Sequence, residues 1–197
     1  MTATTTSAPD ADAWAELIAA RGAYSIAVSQ YYDQVLHEIT DRVRANGTIG
    51  KADIGALLLW KRLRADASWV GDLMALSDAE VRAITGEAVA AVHDTSVDRS
   101  TAARNGRRAL TSLPGFGHGD ALASALLTAA APSRMAVYDR HTHRSLHRIG
   151  LHLTNSPGRY ARYIALLDHL LATGPQPATW TARDLDIALY WHSHIHP

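Results

Sequence analysis

Between Tyr138 and Leu151 the chain reads YDRHTHRSLHRIGL, in which an aspartate precedes three histidines that fall within seven residues. Imidazole and carboxylate groups bind metal ions or transfer protons near neutral pH. On a helix His143 and His147 share one face, because residues four apart are neighbours, and a third ligand would complete a metal site. Asp139 is also well placed to cap such a helix. The stretch alone therefore leaves open a metal site, a proton-transfer cluster and a polar helix.

A second stretch, about 20 residues upstream, reads LPGFGHG at Leu113–Gly119 and precedes an alanine-rich segment. Two glycines around one apolar residue predict a tight turn that buries Phe116 between two helices. The second helix would begin with free backbone N–H groups at the positive end of its dipole, and these bind one phosphate. A Pro-Gly turn that joins two core helices is the alternative for this motif alone.

Taken together, the two stretches resemble the helix-hairpin-helix DNA glycosylase superfamily, which includes endonuclease III and the adenine-specific mismatch, alkyladenine and 8-oxoguanine glycosylases. The resemblance covers about 40 of the 197 residues. The segment LLLWKR at Leu57–Arg62 is also similar to bacterial proteins described as 8-oxoguanine-glycosylase-like. The matching residues are Leu113, Pro114, Gly115, Phe116, Gly117 and Ala121, followed by Asp139, His141, Arg144 and Arg148–Leu151.

This resemblance implies a base-excision repair protein that hydrolyses the N-glycosidic bond of a damaged or mismatched base after flipping it out of the duplex. Cleavage builds positive charge on the deoxyribose ring, and a carboxylate near C1′ stabilises that charge and orients the attacking water. Asp139 is the predicted catalytic carboxylate. Weaker candidates for the base pocket or wedge are Tyr138, His141, Trp60 and Trp69.

The chain departs from the family at one position. Bifunctional members have a lysine two residues after the second hairpin glycine, where this chain has Gly119. The only lysines are Lys51 and Lys61, so an amine-driven lyase step is not expected unless Lys61 reaches the site from another helix. A monofunctional glycosylase that depends on Asp139 is the leading interpretation. The alternatives are a non-catalytic helix-hairpin-helix DNA-binding protein and a histidine-based, metal-dependent helical hydrolase.

Charge is distributed unevenly along the chain. The whole sequence has a net charge of zero, but residues 99–162 contain ten arginines and two acidic residues, a net charge of +8. Such a segment predicts a phosphate-binding face, with double-stranded DNA as the partner. The predicted DNA contacts are Gly115, Gly117, His118, Gly119, Arg104, Arg107, Arg108 and Arg144. The resemblance also implies K⁺ or Na⁺ at the hairpin, on the backbone carbonyls of Thr111, Leu113 and Phe116.

Composition excludes several other classes. The chain has no cysteine, which rules out disulfides, cysteine-ligated zinc, a thiol nucleophile and an iron–sulfur cluster. No apolar run approaches the roughly 20 residues that span a bilayer. We therefore expect a cytoplasmic monomer that needs no cofactor and associates with the nucleoid when bound to DNA.

Helical periodicity and capping signals predict an all-α bundle of nine or ten helices. Residues 1–11 are predicted to be a disordered tail and 12–197 a single two-lobed domain, with the hairpin at 100–130 and the catalytic-aspartate region at 138–151. Helices are predicted at Ala13–Arg44 with an interruption near Gly22, at Lys51–Arg64, from Ser77 to Val92, from Asp98 or Ser100 to Thr111, at Asp120–Ala130, from Asn155 to Ala172, and from Thr181 to near Trp191.

Overall fold

The computed structural model describes residues 9–64 and 66–196, and this part of the chain is helical without strands. The predicted all-α class is confirmed there, whereas residues 1–8 of the predicted tail lie outside the described residues. No helix of the described residues is both long enough and apolar enough to cross a bilayer. The α-helices are α1 (Ala11–Ala27), α2 (Gln34–Asn46), α3 (Lys51–Trp60), α4 (Ser68–Ala75), α5 (Asp78–His93), α6 (Arg99–Ala109), α7 (Ala121–Ala130), α8 (Arg140–Arg148), α9 (Arg159–Thr173) and α10 (Ala182–Ile195).

Capping residues predicted from the sequence begin several of these helices. The Ser77 hydroxyl accepts a hydrogen bond from the Glu80 N–H, and the Glu80 carboxylate accepts one from the Ser77 N–H, which is a complete capping box. Asp98 caps α6, and Thr181 begins α10 with a second capping box. Each cap satisfies N–H groups that have no partner inside the helix.

Several elements differ from the prediction, among them α3, which ends at Trp60 and not at Arg64. The interruption near Gly22 is wrong, because α1 continues to Ala27 and the chain breaks only before α2. Helix α9 begins after Gly158, which has a positive φ of 80°, rather than at Asn155. Helix α4 was not predicted, because its eight residues are too short for a clear periodicity.

The break between α1 and α2 has a structural role. It places Tyr32 and Asp33 against the end of α3, where the Tyr32 hydroxyl donates to the Trp60 carbonyl at 2.6 Å. The Trp60 indole N–H donates to the Asp33 carboxylate at 3.1 Å. A loop residue pair therefore fixes the C-terminal end of α3.

The buried helix α7 lies at the centre of the bundle. Its residues 122–130 are all buried, and α2, α3, α5 and α6 pack against it. Its hydroxyl groups have partners: Ser124 accepts from the Tyr138 N–H at 2.9 Å, and Thr128 donates to the Ser124 carbonyl at 2.7 Å. The Ser124 contact ties the extended segment before α8 to the core, and α8 in turn packs on α10.

The Leu113–Gly119 turn connects a 3₁₀ turn after α6 to α7. Phe116 is buried, as predicted, and its N–H donates to the Leu113 carbonyl at 3.0 Å. Gly115 has a φ of 85°, and a Cβ there would lie 2.2 Å from the Trp69 ring. Backbone conformation and ring contact both require glycine at this position.

Candidate active site: a lysine–aspartate pair in a helical pocket

Lys61 and Asp139 form a buried ion pair, although they lie 78 residues apart in the chain. The Lys61 Nζ is 2.5 Å from Asp139 Oδ2, and the two side chains are 12% and 10% exposed. The sequence predicted no amine-driven step unless Lys61 reached the site from another helix. The structure places Lys61, at the C-terminal end of α3, beside Asp139.

Asp139 is held in place by the start of α8. It is the N-cap of this helix, and its Oδ1 accepts hydrogen bonds from the backbone N–H groups of His141 at 2.9 Å and Thr142 at 3.0 Å. Burial opposes ionisation of the carboxyl, but the Lys61 ammonium and the backbone N–H groups outweigh it and lower the pKa of Asp139. The carboxylate is therefore ionised at neutral pH.

Lys61 is aimed by the C-terminal end of α3. The Arg62 N–H bonds the Leu59 carbonyl and the Leu63 N–H bonds the Leu58 carbonyl, which is the Schellman pattern of helix ends. The pattern needs a left-handed residue, and Arg62 supplies it with a φ of 53° where glycine is usual. Lys61 is the residue just before this left-handed turn, and its amine reaches Asp139.

A cavity of about 450 Å³ opens beside the pair. This volume is within the roughly 300–1,000 Å³ of small-molecule sites. Aromatic rings flank the amine: the Lys61 Nζ lies 5.6 Å from the Trp60 ring centroid and 5.9 Å from that of Tyr190. Ala121, the first residue of α7, also lines the cavity, so the Leu113–Gly119 turn leads directly to it. The pocket can hold a flat, polar molecule next to a carboxylate and an amine.

Helix α10 contributes a polar stripe to the cavity that the sequence analysis missed. Arg183, Asp186 and Tyr190 line it from successive turns. Burial raises the pKa of Asp186 to about 6, despite the opposing effect of Arg183. Asp186 is 1% exposed. Its carboxylate accepts a hydrogen bond from the Val137 N–H at 3.1 Å and forms an ion pair with Arg183. A signal in the sequence could have identified this stripe: its polar residues are three and four positions apart along an apolar helix, which places them on one face.

The four predicted base-pocket residues divide into two groups. Trp60 and His141 line the cavity, and the buried Nδ1 of His141 has no hydrogen-bond partner among the described residues. Trp69 does not line it, because its ring packs on Gly115 of the turn. Tyr138 does not line it either, because its ring is buried in the core and its hydroxyl bonds His143 Nδ1 at 2.8 Å.

The predicted DNA contacts lie mostly on the surface. Gly117, His118, Gly119, Arg104, Arg108 and Arg144 are exposed. Arg107 instead holds the turn together: it pairs with Asp120 at 3.2 Å and donates to the Gly119 carbonyl at 2.9 Å. Arg159 pairs with the same carboxylate at 2.8 Å. The arginine-rich segment thus combines exposed cations with others that fix the turn.

The predicted cation ligands lie within the Leu113–Gly119 turn and the residues before it. The Thr111 carbonyl oxygen lies 3.9 Å from the position that a Cβ atom on Gly117 would occupy. The Leu113 carbonyl accepts the Phe116 N–H and retains its second lone pair. Neutral carbonyl oxygens of this kind suit K⁺ or Na⁺.

The α8 histidines do not assemble the metal site considered for them. His143 bonds Tyr138, and the His147 ring lies 4.4 Å from that of His152. Among the residues that the structure describes, the one group of three histidine or acidic side chains close enough to share a metal is elsewhere, at Glu16, His192 and His196.

Comparisons with known proteins leave the site geometry as the basis for assigning a function. No protein-family model, no curated protein and no solved structure matches the chain.

Proposed function

We propose that this protein is a helix-hairpin-helix DNA glycosylase that removes a damaged or mismatched base, with Asp139 as its key carboxylate. The observation that carries the proposal is the Lys61–Asp139 pair on the wall of a base-sized cavity, next to the first residue of α7. A two-lobed arrangement of the helices around this cavity belongs to the same proposal.

Asp139 supplies what glycosidic cleavage requires. As the C1′–N bond breaks, the base leaves with the bonding electrons and the sugar becomes positively charged. An ionised carboxylate in a water-poor pocket stabilises that charge, and its Oδ2 can accept the proton of an attacking water. The water oxygen then bonds to C1′, and the released base takes up a proton.

Lys61 offers a second route through the same carboxylate. If Asp139 takes the proton of the Lys61 ammonium along the existing hydrogen bond, the neutral amine can attack C1′. The C1′–N bond breaks, and the base leaves with the electron pair and receives the proton from Asp139. The C1′–O4′ bond then breaks as O4′ takes one proton from the new ammonium on C1′, which leaves a protonated Schiff base on Lys61. Lys61 would then replace, from α3, the lysine that the family has at the Gly119 position.

DNA binding is assigned to the Leu113–Gly119 turn and the exposed arginines. The Asp120 side chain pairs with Arg107 and Arg159 instead of capping α7, which leaves the first N–H groups of that helix to a phosphate. A K⁺ or Na⁺ ion on the carbonyls of Thr111, Leu113 and Phe116 would add positive charge beside the same phosphate.

The test uses end-labelled duplexes, each with one lesion: 8-oxoguanine, a 3-methyladenine mimic, uracil, hypoxanthine or an adenine·8-oxoguanine mismatch. Products are resolved with and without alkali, and a parallel sample receives borohydride, which reduces a Schiff base to a stable crosslink. Breaks that need alkali indicate hydrolysis; breaks without alkali, together with a crosslink, indicate the lysine route. Salt-sensitive binding without any base release would contradict the catalytic proposal and indicate a DNA-binding protein only.

The two lysines provide a matched control for the amine route. Lys61→Met is expected to abolish any crosslink, because it removes the amine beside Asp139. Lys51→Met should retain it, since the Lys51 Nζ donates to the Leu76 and Met74 carbonyls away from the pocket. Equal crosslinking by both variants would exclude Lys61 as the nucleophile.

Arg62 gives a separate prediction about DNA binding. Arg62→Gly should raise the free energy of unfolding by up to about 1 kcal/mol, because glycine adopts a positive φ without strain. The exposed guanidinium lies 5.6 Å from the Tyr32 ring at the cavity rim, so its loss should weaken duplex binding severalfold. Denaturant titration and fluorescence anisotropy measure the two effects.

The control for this prediction is Arg44→Ala on α2, which removes an exposed arginine paired with Asp41. It should leave duplex affinity unchanged. If Arg62→Gly lowers the free energy of unfolding, the contact of Arg62 with the Tyr32 ring stabilises the fold by more than the strain of its positive φ costs.

A further inference from the structure

A cluster of metal-ligating side chains lies where α1 meets the last turns of α10. Glu16 comes from α1 and His192 from α10, and His196 is the C-cap residue of α10, four positions after His192. Their ligand atoms all lie within 4.8 Å of one another. Ligand atoms around a tetrahedral Zn²⁺ are separated by about 3.4 Å, given bonds of about 2.1 Å. Because Glu16 and His196 are exposed, small side-chain rotations close the difference.

His192 is the fixed member of the cluster. It is fully buried, and its Nδ1 is 2.6 Å from the Ser145 hydroxyl on α8. This contact sets the plane of the ring and points Nε2 at the Glu16 carboxylate, 3.0 Å away. Metal-binding histidines are usually oriented in this way, through a hydrogen bond at the nitrogen that does not bind the metal.

The protons of the cluster can rearrange to admit a cation. A serine hydroxyl both donates and accepts, so Ser145 can accept a hydrogen bond from Nδ1–H and leave Nε2 free for a metal. Arg148 bonds the His196 carbonyl and holds the end of α10 near this position.

We propose that Glu16, His192 and His196 form a Zn²⁺ site, with water as the fourth ligand. One carboxylate and two imidazoles are ligands that Zn²⁺ accepts readily, and the protein needs no cysteine to provide them. The site is separate from the Lys61–Asp139 pocket, and it does not depend on the function proposed above.

The ion would join the first and the last helices of the described chain. Helix α1 packs against α10 along its length, and α10 carries the pocket residues Arg183, Asp186 and Tyr190. Zn²⁺ would fix the final turn of α10, which is otherwise a helix end open to fraying. Binding therefore stabilises the folded chain, and well above the Kd this stabilisation grows with the logarithm of the free Zn²⁺ concentration.

The experiment titrates the full chain, treated with chelator and freed of any histidine tag, with ZnCl₂ in a calorimeter. We expect one Zn²⁺ to bind per chain. His196→Ala and Glu16→Gln should weaken binding at least about 100-fold, and Ser145→Ala about 10- to 100-fold. The Tm should rise by roughly 5 °C at a Zn²⁺ concentration 100 times the Kd.

His194→Ala is the matched control, because this exposed histidine lies between the two ligands on α10 and is not part of the cluster. It should bind Zn²⁺ as the wild type does. His147→Ala tests the other close histidine pair, His147 and His152, and should also leave binding unchanged. The proposal is overturned if the wild type takes up no Zn²⁺, if His194→Ala and His196→Ala lose it equally, or if the loss follows His147.

Discussion

Asp139→Asn is expected to slow base release by about 10²- to 10⁴-fold while leaving duplex affinity within twofold of the wild type. The substitution removes the negative charge next to C1′ and the acceptor for the proton of water or of Lys61. It keeps the helix cap, because asparagine caps helices as well as aspartate does. Single-turnover rates on the lesion identified by the duplex panel measure the effect, and anisotropy measures the affinity.

Asp98→Asn is the control for this change. Asp98 also caps a helix, where hydrogen bonds from the Thr101 N–H and neighbouring hydroxyls lower its pKa to about 2, but it lies away from the pocket. It should leave base release unchanged. If Asp139→Asn releases the base at the wild-type rate, Asp139 is not the catalytic carboxylate and acts only as the N-cap of α8.

Arg183→Met is expected to lower the free energy of unfolding by about 3–5 kcal/mol, because it leaves a buried carboxylate without its cation. Arg183 pairs with Asp186, and its guanidinium lies 5.3 Å from the Trp60 ring centroid. It also contacts Asp33 at 3.4 Å, so the substitution removes several polar contacts together. Urea denaturation at pH 7.5 measures the loss.

The pH dependence of this loss identifies Asp186 as its cause. In the wild type the pKa of Asp186 is about 6, above the usual value for aspartate, so its ionisation costs stability as the pH rises through 6. Removing Arg183 raises that pKa further. The penalty should therefore be largest near pH 8 and shrink as acid protonates Asp186.

The matched control is Arg21→Met, which breaks a pair with Asp184 on the same helix. That pair is about a quarter exposed, so its loss should cost less than about 1 kcal/mol. Equal losses for Arg21→Met and Arg183→Met would show that burial of the Arg183–Asp186 pair has no energetic consequence.

The helical class and most helix starts could be predicted because they depend on neighbouring residues. Ser77 with Glu80, and Asp98 ahead of its helix, are local signals that act within one turn. Asp139 was selected differently, from a family resemblance that depends on its distance of about 20 residues from the Leu113–Gly119 turn. Its immediate neighbours predicted only a helix cap, which the structure contains.

The positions of Lys61 and of the α10 stripe beside Asp139 could not be predicted from the sequence, because only the tertiary fold brings these residues together. Lys61 lies in the segment LLLWKR, whose resemblance to glycosylase-like proteins does not indicate that its amine reaches Asp139. Trp69 and Tyr138 show the opposite error, since large rings beside a predicted site more often pack into the core. Which helix face meets the cavity depends on the packing of distant elements.

The two carboxylate oxygens of Asp139 have different hydrogen-bond partners, backbone N–H groups for Oδ1 and the Lys61 amine for Oδ2. Rotation of the carboxylate would break both bonds from the α8 N–H groups to Oδ1, so Oδ2 is the oxygen presented to the cavity in every molecule. Such a group has little orientational freedom to lose when a substrate arrives. The turn that begins α8 therefore fixes the direction from which a bound molecule meets the carboxylate, which is the side of Oδ2.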